Sequence, residues 1–252
     1  MPMAEKLYMA HFQTNFFKSS GGKMMRKRKT LAALILAMLM AFCSVVPAYA
    51  ATATTTTKTA AKKTGWVKRD GKKYYYKNGK RIKNKLGYKV GKKYYRFDKK
   101  GVAVRVSEAE GLAGIQLEKT GKKLSRAFKY SSRQIKYRAY CGKPAKGQAE
   151  ADYYAIYGFK YGYGDCYVMS ATFYQMAKVL GYDAHYMKGG FKRGDNTVGA
   201  HSWVEIVRKG KAGVYDPNFA YSYRNVSGAH SGYNFKYGAK GTLKYVNKKR
   251  VN

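Results

Sequence analysis

The periodicity of apolar residues divides the second half of the chain into helices and strands. Apolar positions at helical spacing around Leu124, Phe128 and Ile135 predict helices upstream of a cysteine at position 166. After the glycine-rich YGFKYGYG, which ends in an aromatic turn at YGYG, the sequence DCYVMSATFYQMAKVLGY predicts a further helix with Asp165 as its N-cap and Gly181 as its end. One face of that helix carries an apolar stripe, formed by Met169, Phe173, Met176, Ala177 and Leu180.

Beyond Gly181 the pattern changes to short runs that are typical of β-strands. The sequences AHYM, AHSWVEIV and GVYD predict three strands, and weaker signals lie near YNFKY and TLKYV. Helices followed by antiparallel strands indicate an α+β domain, which we place at residues 106–252.

An internal repeat precedes this domain, at residues 65–105. The sequence GKKYY at 71–75 recurs unchanged at 91–95. Each copy has β-favouring tyrosines followed by a turn, which falls at Asn78-Gly79 in the first copy. The repeats therefore predict a small module of β-hairpins.

Residues 1–50 have the organisation of a secretory signal preceded by an extension. The basic segment MMRKRKT, the apolar segment LAALILAMLMAFCSVV and PAYA predict export with cleavage after Ala50, and Met24 or Met25 is an alternative start. Because the apolar run is shorter than the roughly 20 residues that span a bilayer, we expect no transmembrane segment in the mature protein. Residues 51–64, rich in Thr, Ala and Lys, are expected to form a flexible linker.

The chain is strongly basic, with 51 Lys and Arg against 13 Asp and Glu and a formal net charge of +38. Such a charge favours adsorption to polyanions. For an exported protein, wall teichoic acids or anionic lipids are nearer than nucleic acid. No helix-turn-helix, zinc-finger or RNA-binding signature occurs in the sequence, so we expect no specific nucleic-acid partner.

Two cysteines, Cys141 and Cys166, remain after the predicted cleavage. A disulfide between them would leave neither thiol available for reaction, whereas a free Cys166 would be either a buried apolar residue or a nucleophile. A position in the first turn of a helix favours the thiolate, because the N–H groups and the helix dipole there stabilise negative charge. No CxxC or HExxH motif occurs, and we expect neither a metal nor another cofactor.

Residues in the predicted strands complete a candidate set for acyl-transfer chemistry. Strand alternation places His201 and Glu205 on one face, and Asp216 falls on the returning strand of a hairpin. A turn centred on Arg208 and Lys209 would put the aspartate opposite the histidine, whereas a later turn at the following glycines would displace it. A cysteine, a histidine and a carboxylate supply a thiolate, its general base and the group that orients the base. Glu205 is the alternative carboxylate.

At these residues the chain resembles the transglutaminase-like superfamily, a branch of the papain-like cysteine fold. The resemblance runs from about Leu124 to Tyr221 and rests on GDC before the helix, LGY at its end, HSWVEI and DP taken together. It implies a catalytic triad of Cys166, His201 and Asp216, with the helix packed against an antiparallel sheet.

The resemblance leaves the second oxyanion donor open. Lys160 stands six positions before the cysteine, where papain-type enzymes often carry a glutamine, and Tyr161 and Tyr163 are the alternatives.

The repeats, with Gly-Trp at 65–66 and Gly-Tyr at 87–88, resemble the cell-wall-binding repeats of Gram-positive surface proteins, a group that includes choline-binding modules. In that group, aromatic faces cage a quaternary ammonium or stack on sugar. The alternative is a tyrosine-rich cap that packs on the next domain. The residues that the resemblance implies for wall binding are Trp66, Tyr74, Tyr75, Tyr88, Tyr94 and Tyr95.

Together these features predict a secreted cysteine acyl-transfer enzyme of the cell wall or cell surface. It would hydrolyse peptide or amide bonds, or cross-link proteins as transglutaminases do, through a thioester intermediate. Its partners would be a peptide or protein substrate and wall polyanions or glycans. The alternative is a non-catalytic wall-binding protein or adhesin that uses the same fold as a scaffold.

Overall fold

A computed structural model describes residues 63–251 of the protein. The predicted signal peptide and residues 51–62 of the predicted linker lie outside the described residues. Within residues 63–251, no helix is both long enough and apolar enough to cross a membrane.

Two small antiparallel sheets form the N-terminal module. The first contains β1 (Gly65–Arg69), β2 (Lys72–Lys77) and β3 (Lys80–Arg81), and the second contains β4 (Lys85–Val90), β5 (Lys93–Phe97) and β6 (Ala103–Val106). The predicted turn at Asn78-Gly79 is present, with φ angles of 51° and 78° that suit a two-residue hairpin turn. Each repeat therefore folds as a hairpin extended by a third strand.

The second sheet packs directly on helix α1 (Glu108–Thr120). A Cβ atom on Gly87 would lie 2.2 Å from the carbonyl oxygen of Gly111, and one on Gly114 would lie 2.3 Å from the backbone of β4. Only glycine allows the two backbones to approach this closely. Tyr94 is buried at the same contact. This side of the module is therefore a structural cap on the helix.

Three more helices precede the main sheet, and two short strands bracket the middle one. Their bounds are α2 (Leu124–Arg133), β7 (Lys136–Tyr137), α3 (Glu150–Tyr161), β8 (Tyr163–Gly164) and α4 (Cys166–Val179). The glycine-rich sequence YGFKYGYG is divided between the end of α3, the turn at Gly162 and β8. Gly158 lies in α3 because a Cβ atom would be 2.3 Å from Oγ1 of Thr172, and Gly162, with φ 69°, ends the helix.

Helix α4 begins and ends where the sequence predicts. Asp165 caps it by accepting hydrogen bonds from the N–H groups of Tyr167 and Val168, at 3.0 and 3.2 Å, and Gly181 has φ 86° just beyond its end. The predicted apolar stripe is too narrow, since every side chain from 168 to 177 is buried. The other helices cover one side of α4 and the main sheet covers the other, so no face is left for solvent.

The main sheet has four antiparallel strands. They are β9 (Asp183–Lys192), β10 (Val198–Arg208), β11 (Lys211–Tyr215) and β12 (Tyr245–Arg250), with the short helix α5 (Pro217–Ser222) after β11. Their order in the sheet is β11-β10-β9-β12. The sequence YNFKY contributes only a bridge between Val214 and Phe235. Helices followed by this sheet confirm the predicted α+β fold class.

Strand β10 is buried on both faces. Val204 and Ile206 pack with the helices on one face, as the alternation predicts. On the other face, Trp203 belongs to a separate apolar cluster that the C-terminal segment helps to form. The other buried members of that cluster are Met187, Val214, Phe235 and Tyr245. The strand between the two layers is therefore held firmly, which matters for the side chains that it presents.

Candidate active site

Cys166 is the first residue of α4 and is half-buried. The carboxylate of Asp165 accepts from the N–H groups of Tyr167 and Val168, so the N–H of Cys166 itself stays outside this cap. The positive end of the helix dipole lies at the thiol, where negative charge that develops during a reaction is stabilised. The local structure therefore suits a nucleophile.

His201 lies on β10, and its side chain meets that of Asp216. Nε2 of His201 is 2.6 Å from Oδ2 of Asp216, and the two residues are 3 % and 0 % exposed. Oγ of Ser170, on α4, donates to the carbonyl oxygen of Ser202 at 2.8 Å. This bond fixes the strand next to the histidine against the helix that carries Cys166.

The β10–β11 hairpin has a later turn than the one centred on Arg208 and Lys209, and so settles a register that the sequence left open. Arg208 pairs with Lys211, so the turn is Lys209-Gly210 and lies one residue later than a turn centred on Arg208 and Lys209. Asp216 is consequently not part of the returning strand; it is the N-cap of α5. From this position its side chain still reaches the histidine.

Three donors hold the carboxylate of Asp216. Oδ2 accepts from Nε2 of His201 and from the hydroxyl of Tyr245, at 2.6 and 2.7 Å, and Oδ1 accepts from the N–H of Phe219 at 2.8 Å. Burial raises the pKa of Tyr245 well above its ordinary value, so its hydroxyl keeps the proton that it donates. Both oxygens of Asp216 must act as acceptors, which an ionised carboxylate does and an amide does not.

The pKa of His201 is raised from 6.5 to about 10. Burial, the largest single influence, lowers this pKa, but the charge and the hydrogen bond of Asp216 raise it, and so does a hydrogen bond with Cys166. Because Asp216 takes Nε2, the remaining ring nitrogen, Nδ1, is the one that meets the thiol. The imidazolium is therefore stabilised between a carboxylate and a sulfur, as a thiolate–imidazolium pair requires.

Tyr245 is a member of the site that the sequence did not reveal. It opens β12, the strand that pairs with β9, and lies far along the chain from Asp216. Its ring packs on Trp203, with centroids 4.8 Å apart. The weak strand signal near TLKYV was the only trace of it, and that signal does not say which hydroxyl reaches the carboxylate.

Glu205, the alternative carboxylate, is engaged elsewhere. It forms an ion pair with Arg250 at 3.1 Å and accepts from the hydroxyl of Tyr237 at 2.6 Å. Trp203 donates Nε1 to the same tyrosine hydroxyl, and its ring stacks beside His201 with centroids 6.1 Å apart. The carboxylate that orients the histidine is therefore not Glu205.

The two cysteines are both free and lie in contrasting environments. Cys141 is buried, its thiol contacts the carbonyl oxygen of Arg138 at 3.6 Å, and burial raises its pKa. Cys166 is half-buried at a helix N-terminus. Cys141 therefore has the properties of a structural residue and Cys166 those of a reactive one.

The candidate oxyanion residues have other contacts. Lys160 forms an ion pair with Glu108 at 2.9 Å, and the exposed ring of Tyr161 lies 6.0 Å from that of Tyr163. None of these contacts joins the three residues to the thiol. The donor that the site offers from its own helix is the N–H of Cys166.

Four of the six aromatic residues implied for wall binding form one cluster with Phe97. Ring centroids of Trp66 lie 5.1 Å from Tyr75 and 4.7 Å from Tyr95, and Tyr88 contacts both Tyr75 and Phe97. Trp66 is 39 % exposed, so part of this aromatic cluster faces solvent.

Tyr74 and Tyr94 lie apart from the aromatic cluster. The guanidinium of Arg81 lies 4.8 Å from the ring centroid of Tyr74, and Tyr94 is buried against α1. The module therefore has one side that caps the helix and another that exposes aromatic surface.

The fold and the site define a class of protein. A cysteine begins a buried helix, and a buried histidine–aspartate pair lies on the adjoining antiparallel sheet, which is the arrangement of papain-like cysteine enzymes.

In the part of the chain that the structure describes, no three His, Cys, Asp or Glu side chains are placed to hold a metal ion together.

Sequence comparison agrees with this class. Residues 107–217 match the family model described as the Transglutaminase-like superfamily, so this part of the chain is a transglutaminase-like domain. The matched residues include Cys166, His201 and Asp216, whereas Tyr245 lies beyond them. No curated protein matches the chain in sequence.

A structural comparison finds a crystal structure described as a "Putative Cysteine Protease from Cytophaga hutchinsonii". The similarity has a TM-score of 0.34 and 14 % sequence identity, and it covers 44 % of this chain. It spans only 38 % of the length of that protein.

Proposed function

We propose that the protein is a secreted, wall-associated cysteine enzyme that transfers acyl groups from peptide or amide substrates. The observation that carries this proposal is the buried 2.6 Å hydrogen bond between His201 and Asp216, beside the thiol of Cys166 at a helix N-terminus. A histidine with a purely structural role needs only an ordinary polar partner. Here the ring lies between a carboxylate and a sulfur, which is how a general base is oriented and charged.

The reaction begins when the thiol of Cys166 gives its proton to Nδ1 of His201. Asp216 stabilises the imidazolium that results, because its charge and hydrogen bond favour the protonated ring. The thiolate attacks the carbonyl carbon of the substrate amide, a C–S bond forms, and negative charge moves to the oxygen. The N–H of Cys166 and the dipole of α4 offer stabilisation to that oxyanion.

Breakdown of this intermediate breaks the C–N bond. His201 protonates the departing amine or ammonia and is left neutral, with a thioester on Cys166. Water or a lysine amine then attacks the thioester, gives a proton to His201 and releases an acid or a new amide. Hydrolysis and cross-linking share every step up to the thioester, so the acceptor decides the product.

Alkylation of the thiols at graded pH tests this proposal. We expect iodoacetamide to modify Cys166 rapidly at about pH 6 to 7, where an ordinary thiol, with a pKa of about 8.5, reacts slowly. Peptide mapping by mass spectrometry measures the rate at each cysteine separately. Cys141 is the internal control, because it is buried and its pKa is raised.

Two histidine variants show whether the reactivity comes from the site. His201→Ala should reduce the alkylation of Cys166 at low pH to that of an ordinary thiol, because the imidazolium is lost. His185→Ala should not, because the partner of His185 is Asp183, at 3.1 Å. Equally slow alkylation of both cysteines in the unmodified protein would contradict the catalytic role.

Charge and aromatic surface support the association with the wall. After cleavage at Ala50 the protein would keep 44 Lys and Arg against 12 Asp and Glu, and this net charge of +32 favours wall polyanions. On the N-terminal module, the exposed ring of Trp66 with Tyr75 and Tyr95 offers aromatic faces to a sugar or a quaternary ammonium group. The opposite side of the module packs on α1, so one module serves as cap and as binding surface.

Replacing Trp66 by alanine should weaken retention on isolated Gram-positive walls by about two- to fivefold. The pelleting assay is run at raised salt, where attraction that depends only on charge is screened. Tyr140→Ala is the matched control, because it removes an aromatic side chain that is 76 % exposed and lies outside the module. Equal retention of the two variants would indicate that the repeats serve only as a structural cap on α1.

A further inference from the structure

A pocket of about 450 Å³ adjoins the catalytic histidine and aspartate. Two of its wall residues touch that pair directly. The ring of Phe191 packs edge-on against His201, with centroids 5.6 Å apart, and the backbone of Phe219 donates to Asp216. The pocket is therefore separated from His201 and Asp216 by one layer of residues, Phe191 and Phe219, and a ligand in it would lie behind that layer.

Backbone contacts hold the walls of the pocket together. The N–H of Lys192 donates to the carbonyl oxygen of Lys244 at 3.0 Å, and that of His230 donates to Gly241 at 2.9 Å. A Cβ atom on Gly241 would lie 2.2 Å from the carbonyl oxygen of Gly228, so only glycine allows this approach. These main-chain contacts fix the wall segments relative to one another.

The pocket combines apolar walls with a cationic rim. The apolar residues are Phe191, Phe219, Tyr223, Val226 and Leu243, and the cations are Lys192, Arg193, Lys240 and Lys244. One acid, Asp195, also lines the pocket, but its Oδ1 already accepts from the N–H and the hydroxyl of Thr197. Among the described residues, the three rim lysines form no salt bridge. Arg193, by contrast, lies over the ring of Phe191 and donates to Oγ1 of Thr197, so the three lysines supply the available positive charge of the rim.

We infer that this pocket binds an acidic segment of the peptide substrate, with a carboxylate next to an apolar side chain, beside the amide that Cys166 attacks. The inference rests on the proposed acyl transfer. The rim lysines attract carboxylates, and the apolar walls favour burial of a hydrocarbon side chain. A polyol-phosphate polymer would pair with the lysines but has no hydrocarbon side chain to offer the apolar walls, so the observations favour the peptide.

Binding to the Cys166→Ala variant tests this inference without turnover. The probe is a fluorescein-labelled peptide that contains a glutamine, a leucine and two glutamates, and its counterpart has glutamines in place of the glutamates. Fluorescence anisotropy should show that the acidic peptide binds about tenfold or more tightly. Adding the double substitution Lys240→Glu and Lys244→Glu should remove that preference.

A second double substitution, Lys129→Glu and Lys211→Glu, is the matched control. It changes the net charge equally at two exposed positions outside the pocket and should keep the preference. Equal loss in both double variants would assign the effect to overall charge and overturn the inference. Tight binding of poly(glycerol phosphate) to the pocket without preference for the acidic peptide would also overturn it. Thiol alkylation tests the catalytic role of Cys166 separately. The catalytic proposal and the binding of an acidic peptide in the pocket can therefore fail independently.

Discussion

Replacing Cys166 by alanine should abolish acyl-enzyme formation and leave the free energy of unfolding nearly unchanged. His201 and Asp216 move and stabilise a proton but form no bond to the substrate, so no residue of the site replaces the nucleophile. We expect a loss of about 10⁴-fold or more in amide turnover. The side chain is only half-buried, so the free energy of unfolding should change by less than about 1 kcal/mol.

The measurement uses glutamine-containing peptides as acyl donors and water or a lysine analogue as acceptor. Mass spectrometry of the intact protein detects the thioester, and urea unfolding measures stability. Cys141→Ala should give the opposite pattern, because truncation of this buried residue leaves a cavity that costs about 1 to 2 kcal/mol while the thioester still forms. An unmodified protein without activity on a broad peptide panel, together with a large stability loss in Cys166→Ala, would favour the scaffold interpretation.

Local signals were sufficient to predict the helix that carries the nucleophile. Asp165 caps α4 through N–H groups only two and three residues away, and Gly181 ends it through its own backbone conformation. Such contacts depend on neighbours in the sequence and can be inferred from it. The burial of α4 on all sides could not be inferred from the sequence, because it depends on helices and strands from distant parts of the chain.

The hairpin shows where local signals fail. The turn is formed by Lys209 and Gly210, with φ angles of 50° and 72°, and the sequence offers Gly210 as a signal for it without excluding a turn one residue earlier. Moving the turn by one residue changes each cross-strand partner by two residues, so Asp216, if the strand continued, would lie opposite Trp203 rather than His201 but on the same face of the sheet. Asp216 nevertheless reaches His201, because it has left the strand and caps α5. The sequence therefore indicated the two partners and left their register open.

Tyr245 and the pocket depend on contacts that are distant in sequence. The chain has 26 tyrosines, so composition does not identify the one whose hydroxyl reaches Asp216. The pocket likewise needs the end of β9, the start of α5 and the segment before β12 to meet. Most of that segment lies beyond the residues that match the family, so family resemblance did not indicate it either.

Replacing Asp216 by asparagine should lower the rate and move the alkaline limit of activity to lower pH. Burial, the largest influence on His201, lowers its pKa, and the charge of Asp216 is the first of the effects that raise it to about 10. Without that charge the pKa falls, and the imidazolium that must protonate the leaving amine is lost at lower pH. We expect turnover to fall by about 10² to 10⁴-fold at neutral pH, measured as kcat/KM across a pH series.

The same substitution should also destabilise the fold. An asparagine whose amide oxygen faces His201 and Tyr245 turns its NH₂ group towards the N–H of Phe219, and two facing donors cost about 1 to 3 kcal/mol. Because folding raises the pKa of His201, its protonation stabilises the native state fully below about pH 6.5, and this contribution is lost as pH rises through about 10. Urea unfolding should therefore show a stability gap between the two proteins that is widest at low pH and narrows towards pH 10.

Tyr245→Phe separates the charge of Asp216 from its hydrogen bonds. It removes a donor from Oδ2 but keeps the negative charge beside His201, so the pKa of the histidine is not lowered. We expect turnover to fall by only about tenfold, with the alkaline limit unmoved or shifted to higher pH. Asp216→Asn must shift that limit to lower pH if the carboxylate acts on the histidine. An unmoved alkaline limit in Asp216→Asn would instead indicate that Asp216 acts only as the N-cap of α5. A residue with that role alone does not change the pKa of His201.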